Sequence, residues 1–390
     1  MTAPAGARQP QLSIFIPSFG EGGVDRMLVN IATGIAQRGV AVDFIVTTDH
    51  APYLADLGGG VRILRFEACD DDNLARELAC YLDSERPEFL MTGKGRDDRI
   101  ALAARDRLAS IQTRYVLRVG TAVASRARSR LLFRWQQRKY GRKLLATCSR
   151  YDVLLANAEA VATEICQATG LSRERIAVVP NPTVTERLYH LASAPPEHPW
   201  LTDDDVPVIM GIGGLRRQKD FGTLIRAFAS LHQRRPCRLI ILGSGRQLAR
   251  LQRLAQRLGV AEDVDLPGFT ANPYAYLSRA SLFVLSSLWE GLPNVLIEAL
   301  ALGTPVVATD CPGGAHEILE GGRYGPLVKP GDYGAMSAAM GAVLKERPDS
   351  TALKSAAARY TVDAATDAYL AVLRCAASPE ALPDWPGPNK

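Results

Sequence analysis

What this chain lacks narrows its class. Its seven cysteines form an odd, scattered set with no Cys-x-x-Cys, which indicates neither a disulfide framework nor a zinc site and points to a reducing compartment. Five histidines show no metal-ligand spacing. Residues 1–10 carry no apolar signal core, and no apolar run approaches a membrane span. Aromatics are only 7% and net charge only +5, so bulk charge argues for no particular partner. What is present is 47% hydrophobic residue in 390 positions, enough for two cores. The expected location is cytoplasmic, with any membrane contact peripheral, on the inner face of the plasma membrane.

Apolar strand-like runs alternate with helical patterns along the whole chain. Leu12–Phe19 reads as a strand and Val24–Arg38 as a helix, with Leu28, Ile31, Ala32 and Ile35 at helical spacing. Strands follow near 41–47, 62–66, 89–92, 115–119, 153–156 and 176–180. Pro195-Pro196-Glu197-His198-Pro199 and Asp203-Asp204-Asp205 have linker composition, and the alternation restarts at Val208. Such alternation implies parallel sheets with crossover helices. The expected organisation is a Rossmann-like domain over 1–185, a linker over 186–206, a second Rossmann-like domain over 207–360, and a return helix and tail over 361–390. Two such domains face each other across a cleft at the C-terminal ends of their strands, where open parallel sheets bind ligands.

The most specific stretch is Ser286-Ser287-Leu288-Trp289-Glu290-Gly291-Leu292-Pro293-Asn294-Val295-Leu296-Ile297-Glu298. A carboxylate on a short loop precedes a Pro that opens an apolar helix, and a second carboxylate lies within the helix. With Pro293 at the first helical position, the N–H groups of Asn294, Val295 and Leu296 are left unpaired, and the dipole favours an anion there. Glu290 lies just outside that anion site, and Glu298 lies further along the axis. Carboxylate, phosphate-binding amides and carboxylate in a row suit a molecule built as sugar, diphosphate and ribose.

This Glu-x7-Glu pattern between a short apolar strand (282–285) and a Leu/Ala-rich helix resembles the donor-site motif of the retaining GT-B glycosyltransferases, family 4; the following 301–310 is also similar to that family. The resemblance is strong over 206–328 and looser before Tyr151. It implies the GT-B fold: two α/β, Rossmann-like parallel-sheet domains, with a C-terminal helix crossing back to the first. By resemblance, Gly291 and Leu292 join the donor site. Gly22 and Gly23, in Gly20-Glu21-Gly22-Gly23-Val24-Asp25-Arg26, match a turn that touches the donor diphosphate, and Arg26 supports that loop or contacts phosphate. Gly243, in Gly243-Ser244-Gly245, matches a turn near the nucleoside, and Gly268 with Phe269 matches a region beside the base. Family members carry an Arg where this chain has Gly214, then a Lys where this chain has Lys219. Arg216 or Arg217 is the available substitute; Arg217, two residues before Lys219, is favoured. His316 follows a strand in Asp310-Cys311-Pro312-Gly313-Gly314-Ala315-His316, and a lone His at such a place is more often a cap or a satisfied polar group than a catalyst.

Between Asp106 and Asp152 there is no acidic residue. Arg118, Arg126, Arg130, Arg134 and Trp135 belong to this basic amphipathic stretch, of the kind that meets anionic lipid or a phosphorylated partner. The resemblance places the acceptor in this first domain, a glycan or polyprenyl-diphosphate-linked saccharide. The family's His after the strand ending at Val119 is absent. No nucleic-acid-reading motif is found.

The function these readings imply is retaining transfer of a sugar from a nucleotide diphosphate donor, a UDP-sugar being expected, to an acceptor hydroxyl in cell-surface polysaccharide biosynthesis. Glu290, Lys219 and Arg217 are the candidate catalytic residues. No cofactor and no metal are expected, since no Asp-x-Asp cluster is placed to hold a divalent ion and Asp70–Asp72 reads as a helix-start loop. The alternatives are a nucleotide-sugar epimerase or hydrolase of the same fold, and a non-catalytic nucleotide-sugar binding partner. A dinucleotide oxidoreductase is disfavoured by the incomplete Gly-x-Gly-x-x-Gly.

Overall fold

The computed structural model describes residues 11–20, 23–47, 53–120, 133–202 and 206–377, with side chains of 133–137 not described. The chain divides into two compact units, 1–182 with 362–390, and 183–361.

The first unit is built on β1 (Leu12–Phe15), β2 (Val42–Val46), β3 (Val61–Arg65), β4 (Phe89–Thr92), β5 (Arg114–Val119), β6 (Val153–Ala156) and β7 (Ile176–Val178). All pair in parallel, in the order β3-β2-β1-β4-β5-β6-β7. Strands β1, β2, β4 and β6 are buried along their whole length, as expected where helices cover both faces. The first strand is shorter than its apolar run: pairing stops at Phe15, and 16–20 turn toward the helix Gly23–Gln37. The last helix, Val362–Ala377, belongs to this unit and contributes Tyr369, Leu370, Leu373 and Ala376 to its core. It lies against Gly34, where any Cβ would run into Thr366 Oγ1, so a small residue permits the close approach.

The second unit carries β8 (Val208–Ile212), β9 (Arg238–Leu242), β10 (Val264–Gly268), β11 (Leu282–Leu285), β12 (Val306–Thr309) and β13 (Leu327–Val328), again parallel, in the order β10-β9-β8-β11-β12-β13. One feature differs from the sequence expectation. The segment taken as a linker, 186–206, is folded over its described part. Helix Glu186–Ala192 and the turn Pro199–Leu201 pack on the second unit, where Asn272 Nδ2 donates to Leu191 O (2.9 Å), Ser278 Oγ to Ala192 O (3.1 Å), and His198 pairs with Asp265. Leu266-Pro267-Gly268 ends β10, whose pairing with β9 shifts register between Asp265 and Gly268. Proline is tolerated because β10 is an edge strand, so the missing N–H costs no ladder bond on its open side. Each sheet reverses its order once, between β1 and β4 and between β8 and β11.

Candidate active site

In the second unit, the loops leaving β8 and β11 meet at the point where strand order reverses, which is where open parallel sheets offer a binding crevice. After β8, a single 3-10 turn, Arg217–Lys219, is stitched to the loop after β11: Leu288 N donates to Gln218 O at 2.8 Å, and Ser286 Oγ to Lys219 O at 2.7 Å. This brings together two residues 71 positions apart. Lys219 Nζ lies 2.7 Å from Glu290 Oε1. Ser287 Oγ donates to the same oxygen at 2.6 Å, and Gln218 Nε2 reaches Glu290 Oε2 at 3.4 Å and Trp289 O at 3.0 Å. Lys219 and Glu290, read separately in the sequence, thus form one partly buried ion pair. Ser287 and Gln218 were missed, although Ser287 lies inside the stretch singled out and Gln218 lies between Arg217 and Lys219.

The backbone around Glu290 is held from β12. Glu290 N donates to Pro312 O (2.9 Å) and Gly314 N to Gly291 O (2.7 Å). Gly313 has φ +121°, and a Cβ there would lie 2.5 Å from Glu290 O. This glycine pair holds the loop that carries Glu290, and its signal in the sequence is two adjacent glycines shortly after a strand. Burial, and next the nearby charge of Glu290, pushes the Cys311 thiol up to about 12, so it stays protonated and offers no thiolate. His316 sits outside this cluster, more than half exposed, with Nδ1 3.1 Å from Asp310 Oδ1, a satisfied polar group.

The helix Asn294–Leu302 starts one residue later than Pro-at-first-position implies. Pro293 is its N-cap (φ −74°, ψ 92°), and Leu296 N–H donates to Pro293 O at 3.0 Å. Leu296 therefore leaves the expected set of open amides. Leu292 is buried. Glu298 is also buried, in the interior of the helix, and accepts from Tyr274 Oη at 3.3 Å.

The glycine turns of β8 and β9 touch backbone to backbone. Gly243 N donates to Gly268 O (2.7 Å) and Leu215 N to Ser244 O (2.8 Å). Gly243 has φ +136°, and any Cβ on it would strike the carbonyl of Gly213. Phe269 beside it is 65% exposed, an open ring at the sheet's C-terminal edge.

The two arginines near Gly214 separate. Arg216 donates its backbone N–H to Gly214 O at 2.7 Å, and its Nε would lie 3.3 Å from a Cβ built on Gly214. Arg217 instead lines a cavity with Arg226 and Arg250. Of the two, Arg216 lies beside Gly214, the position where the resemblance expects an arginine, and Arg217 faces the cavity, because the turn sends successive side chains to different sides.

In the first unit, Gly23 begins the helix Gly23–Gln37 and Arg26 lies half-buried in its first turn. Arg118 is not a surface residue: it is 2% exposed, its Nε donates to Tyr369 Oη (3.1 Å) and its Nη2 to Asn181 Oδ1. Tying β5 to the last helix is incompatible with the acceptor or lipid contact expected of it. Gly22, Arg126 and Arg130 lie outside the described residues, and Arg134 and Trp135 belong to helix Phe133–Cys148, where their side chains are not described. Among the described residues no helix is long and apolar enough to cross a membrane, and no trio of His, Cys, Asp or Glu is grouped to hold a metal.

Comparison with known proteins agrees with this architecture. Two family models match, "Glycosyltransferase Family 4" over residues 21–187 and "Glycosyl transferases group 1" over residues 197–360. The chain belongs to the group 1, family 4 glycosyltransferases. Over 195 residues it is 31% identical to the N-acetylgalactosamine-N,N'-diacetylbacillosaminyl-diphospho-undecaprenol 4-alpha-N-acetylgalactosaminyltransferase of Campylobacter jejuni (50% of this chain, 51% of that one). Across 367 residues it is 27% identical to the lipopolysaccharide core biosynthesis glycosyltransferase LpsE of Rhizobium meliloti (90% and 96%). The chain spans about half the length of the curated relatives it matches first. A solved structure of Anabaena HepE in complex with UDP-glucose has TM-score 0.76 at 20% identity, covering 93% of this family 4 chain and 99% of the other. The fold is thus GT-B.

Proposed function

We propose that this family 4 chain is a retaining glycosyltransferase that moves a sugar from a UDP-sugar to a hydroxyl of a glycan or lipid-linked saccharide in cell-surface polysaccharide assembly. One observation carries the reading: a buried carboxylate, Glu290, and a cation, Lys219, converge at the switch point of a parallel sheet, one turn from a helix start and with a second buried carboxylate, Glu298, inside that helix. The UDP-glucose bound to HepE, and the diphospho-undecaprenol and lipopolysaccharide named for the other relatives, support the choice of donor and acceptor class.

In this reading the helix-start amides and Lys219 hold the diphosphate, and Glu298 accepts from the ribose hydroxyls. The bond from the anomeric carbon to the leaving phosphate oxygen breaks, and that oxygen takes the proton of the incoming acceptor hydroxyl. The acceptor oxygen bonds to the anomeric carbon on the face just vacated, so configuration is retained and a nucleoside diphosphate departs. Glu290 accepts hydrogen bonds from the sugar hydroxyls and its charge favours the developing positive centre. Positioning and fixed charge supply the rate enhancement. Lys219 neutralises charge that a divalent ion would otherwise balance, so chelator is expected to leave turnover unchanged. We place the enzyme in the cytoplasm, peripheral to the membrane that presents its acceptor.

The test is product stereochemistry by NMR with UDP-sugars and lipid-linked or glycan acceptors. An axial product from an axial donor supports retention, and an equatorial one refutes it. Sugar release or isomerisation without any acceptor would favour the hydrolase or epimerase reading instead.

A further inference from the structure

A second cationic feature lies on the same unit and takes no part in the reaction above. Helix Leu248–Arg257 buries Leu251, Leu254 and Ala255 on one side. Its arginines, at 250, 253 and 257, recur with helical spacing on the other, and all are exposed. Between this helix and Phe221–His232 is a cavity of about 230 Å³, lined by Arg217, Arg226, Arg250 and Arg257. Its single acidic lining residue is Asp220, whose Oδ2 already accepts from Thr223 Oγ1 at 2.6 Å. Among the described residues none of the four arginines forms an ion pair.

Four guanidinium groups around one small cavity repel one another, and an exposed cluster of this kind is ordinarily interleaved with carboxylates. An anion removes that repulsion. The cations are all arginine, whose planar fork matches phosphate oxygens in pairs, where lysine would offer only point charges. The turn Arg217–Lys219 divides the surface: Lys219 reaches Glu290, whereas Arg217 faces the cavity. The cavity is therefore next to the donor site without sharing its lysine or either of its carboxylates.

We propose that this cavity is a receptor for a phosphate- or diphosphate-bearing anion, distinct from the nucleotide-sugar site. The same chemistry is presented by a soluble diphosphate and by an anionic lipid headgroup, and two arms of one experiment separate them. Full-length protein, its donor site saturated with UDP, is titrated with inorganic pyrophosphate in a thermal-shift and calorimetric series. In parallel it is co-sedimented with vesicles of phosphatidylcholine alone or with phosphatidylglycerol. The variants are R250E/R257E and the milder R250Q/R257Q, each checked for folding by circular dichroism; both positions are exposed, so the Gln pair keeps the test alive should charge reversal disturb the helix.

Wild type is expected to bind pyrophosphate or the anionic vesicles, and both variants to lose about tenfold or more of that affinity, with UDP affinity within about twofold of wild type. Binding of pyrophosphate alone identifies a soluble ligand; binding of phosphatidylglycerol vesicles alone identifies a headgroup. Absence of both in wild type, or equal binding by the variants, overturns the proposal. A parallel fall in UDP affinity also overturns it, because the cavity would then be part of the donor site. If wild type binds no UDP, the donor reading fails, yet the pyrophosphate and vesicle arms still decide this one.

Discussion

Glu290→Gln separates two things the Lys219–Glu290 pair could do. The substitution keeps size and one carbonyl-type acceptor for Ser287 Oγ and Lys219 Nζ but removes the negative charge. In the pair, the side chains are 8% exposed for Glu290 and 19% for Lys219. Removing one partner of a fully buried pair costs about 3–5 kcal/mol; here Gln retains a dipole and the ammonium keeps some water, so about 1–2 kcal/mol is expected. For a unit of this size that lowers Tm by roughly 3–6 °C. Nucleotide binding should move the other way or not at all. In the unliganded protein Glu290 competes with diphosphate for Lys219, and in the variant that competition is gone. Turnover should nevertheless fall by about 10²–10³, the loss typical when a fixed group facing developing charge is removed. The assay is steady-state kinetics with the UDP-sugar identified by screening, alongside calorimetric titration of UDP. Turnover within about threefold of wild type would refute a direct role for Glu290. UDP affinity falling as far as turnover would show that Glu290 acts only by holding Lys219 in place.

Glu298→Ala should weaken UDP binding by about tenfold or more and change turnover at saturating donor far less; the split between KM and kcat reads this directly. Gly243→Ala should destabilise by about 1–3 kcal/mol, seen in urea unfolding, because its φ of +136° is paired with contact against Gly213. In the first unit, burial raises the Asp97 carboxyl to about 6, against an opposing hydrogen bond from Ser18 Oγ at 2.7 Å. Its folded pKa lies above the unfolded one, so the folded state binds the extra proton, and stability is lost as pH rises from about 4 through about 6. Asp97→Asn should therefore be more stable than wild type at pH 8, by up to about 3 kcal/mol, with the gap closing at pH 4; a difference independent of pH would refute the linkage.

The strand–helix alternation was legible because it is local. Apolar runs of four to six residues bounded by turns fold as buried parallel strands, and β4 and β6 match their sequence-read limits residue for residue. The glycine turns after β8, β9 and β12 were also visible, since a left-handed or close-packed backbone leaves glycine little competition. The errors came where composition and local chemistry point one way and tertiary contacts another. Proline-rich 186–206 reads as a linker, yet its carbonyls at 191 and 192 find donors in Asn272 and Ser278. Arg118 reads as part of a basic surface, because nothing nearby reveals that Tyr369, 251 positions later, will take its guanidinium into the core.

The same distinction explains what was and was not seen at the site. Glu290 and Glu298 were singled out from local pattern and Lys219 from the family resemblance, but their relation depends on how the loops after β8 and β11 meet. Ser286 and Leu288 bond to the backbone of the Arg217–Lys219 turn; those two bonds, rather than any side-chain pattern, decide that Lys219 faces Glu290. They also decide that Arg217 turns away. A turn of three residues presents its first and third side chains to different surroundings, so charge proximity in the sequence cannot assign both to one ligand. The cation at 219 is fixed by its carboxylate and its neighbour at 217 is left with three other arginines. That division underlies the two anion-binding roles proposed for one short turn, and a variant at Arg250 and Arg257 should disturb one while sparing the other.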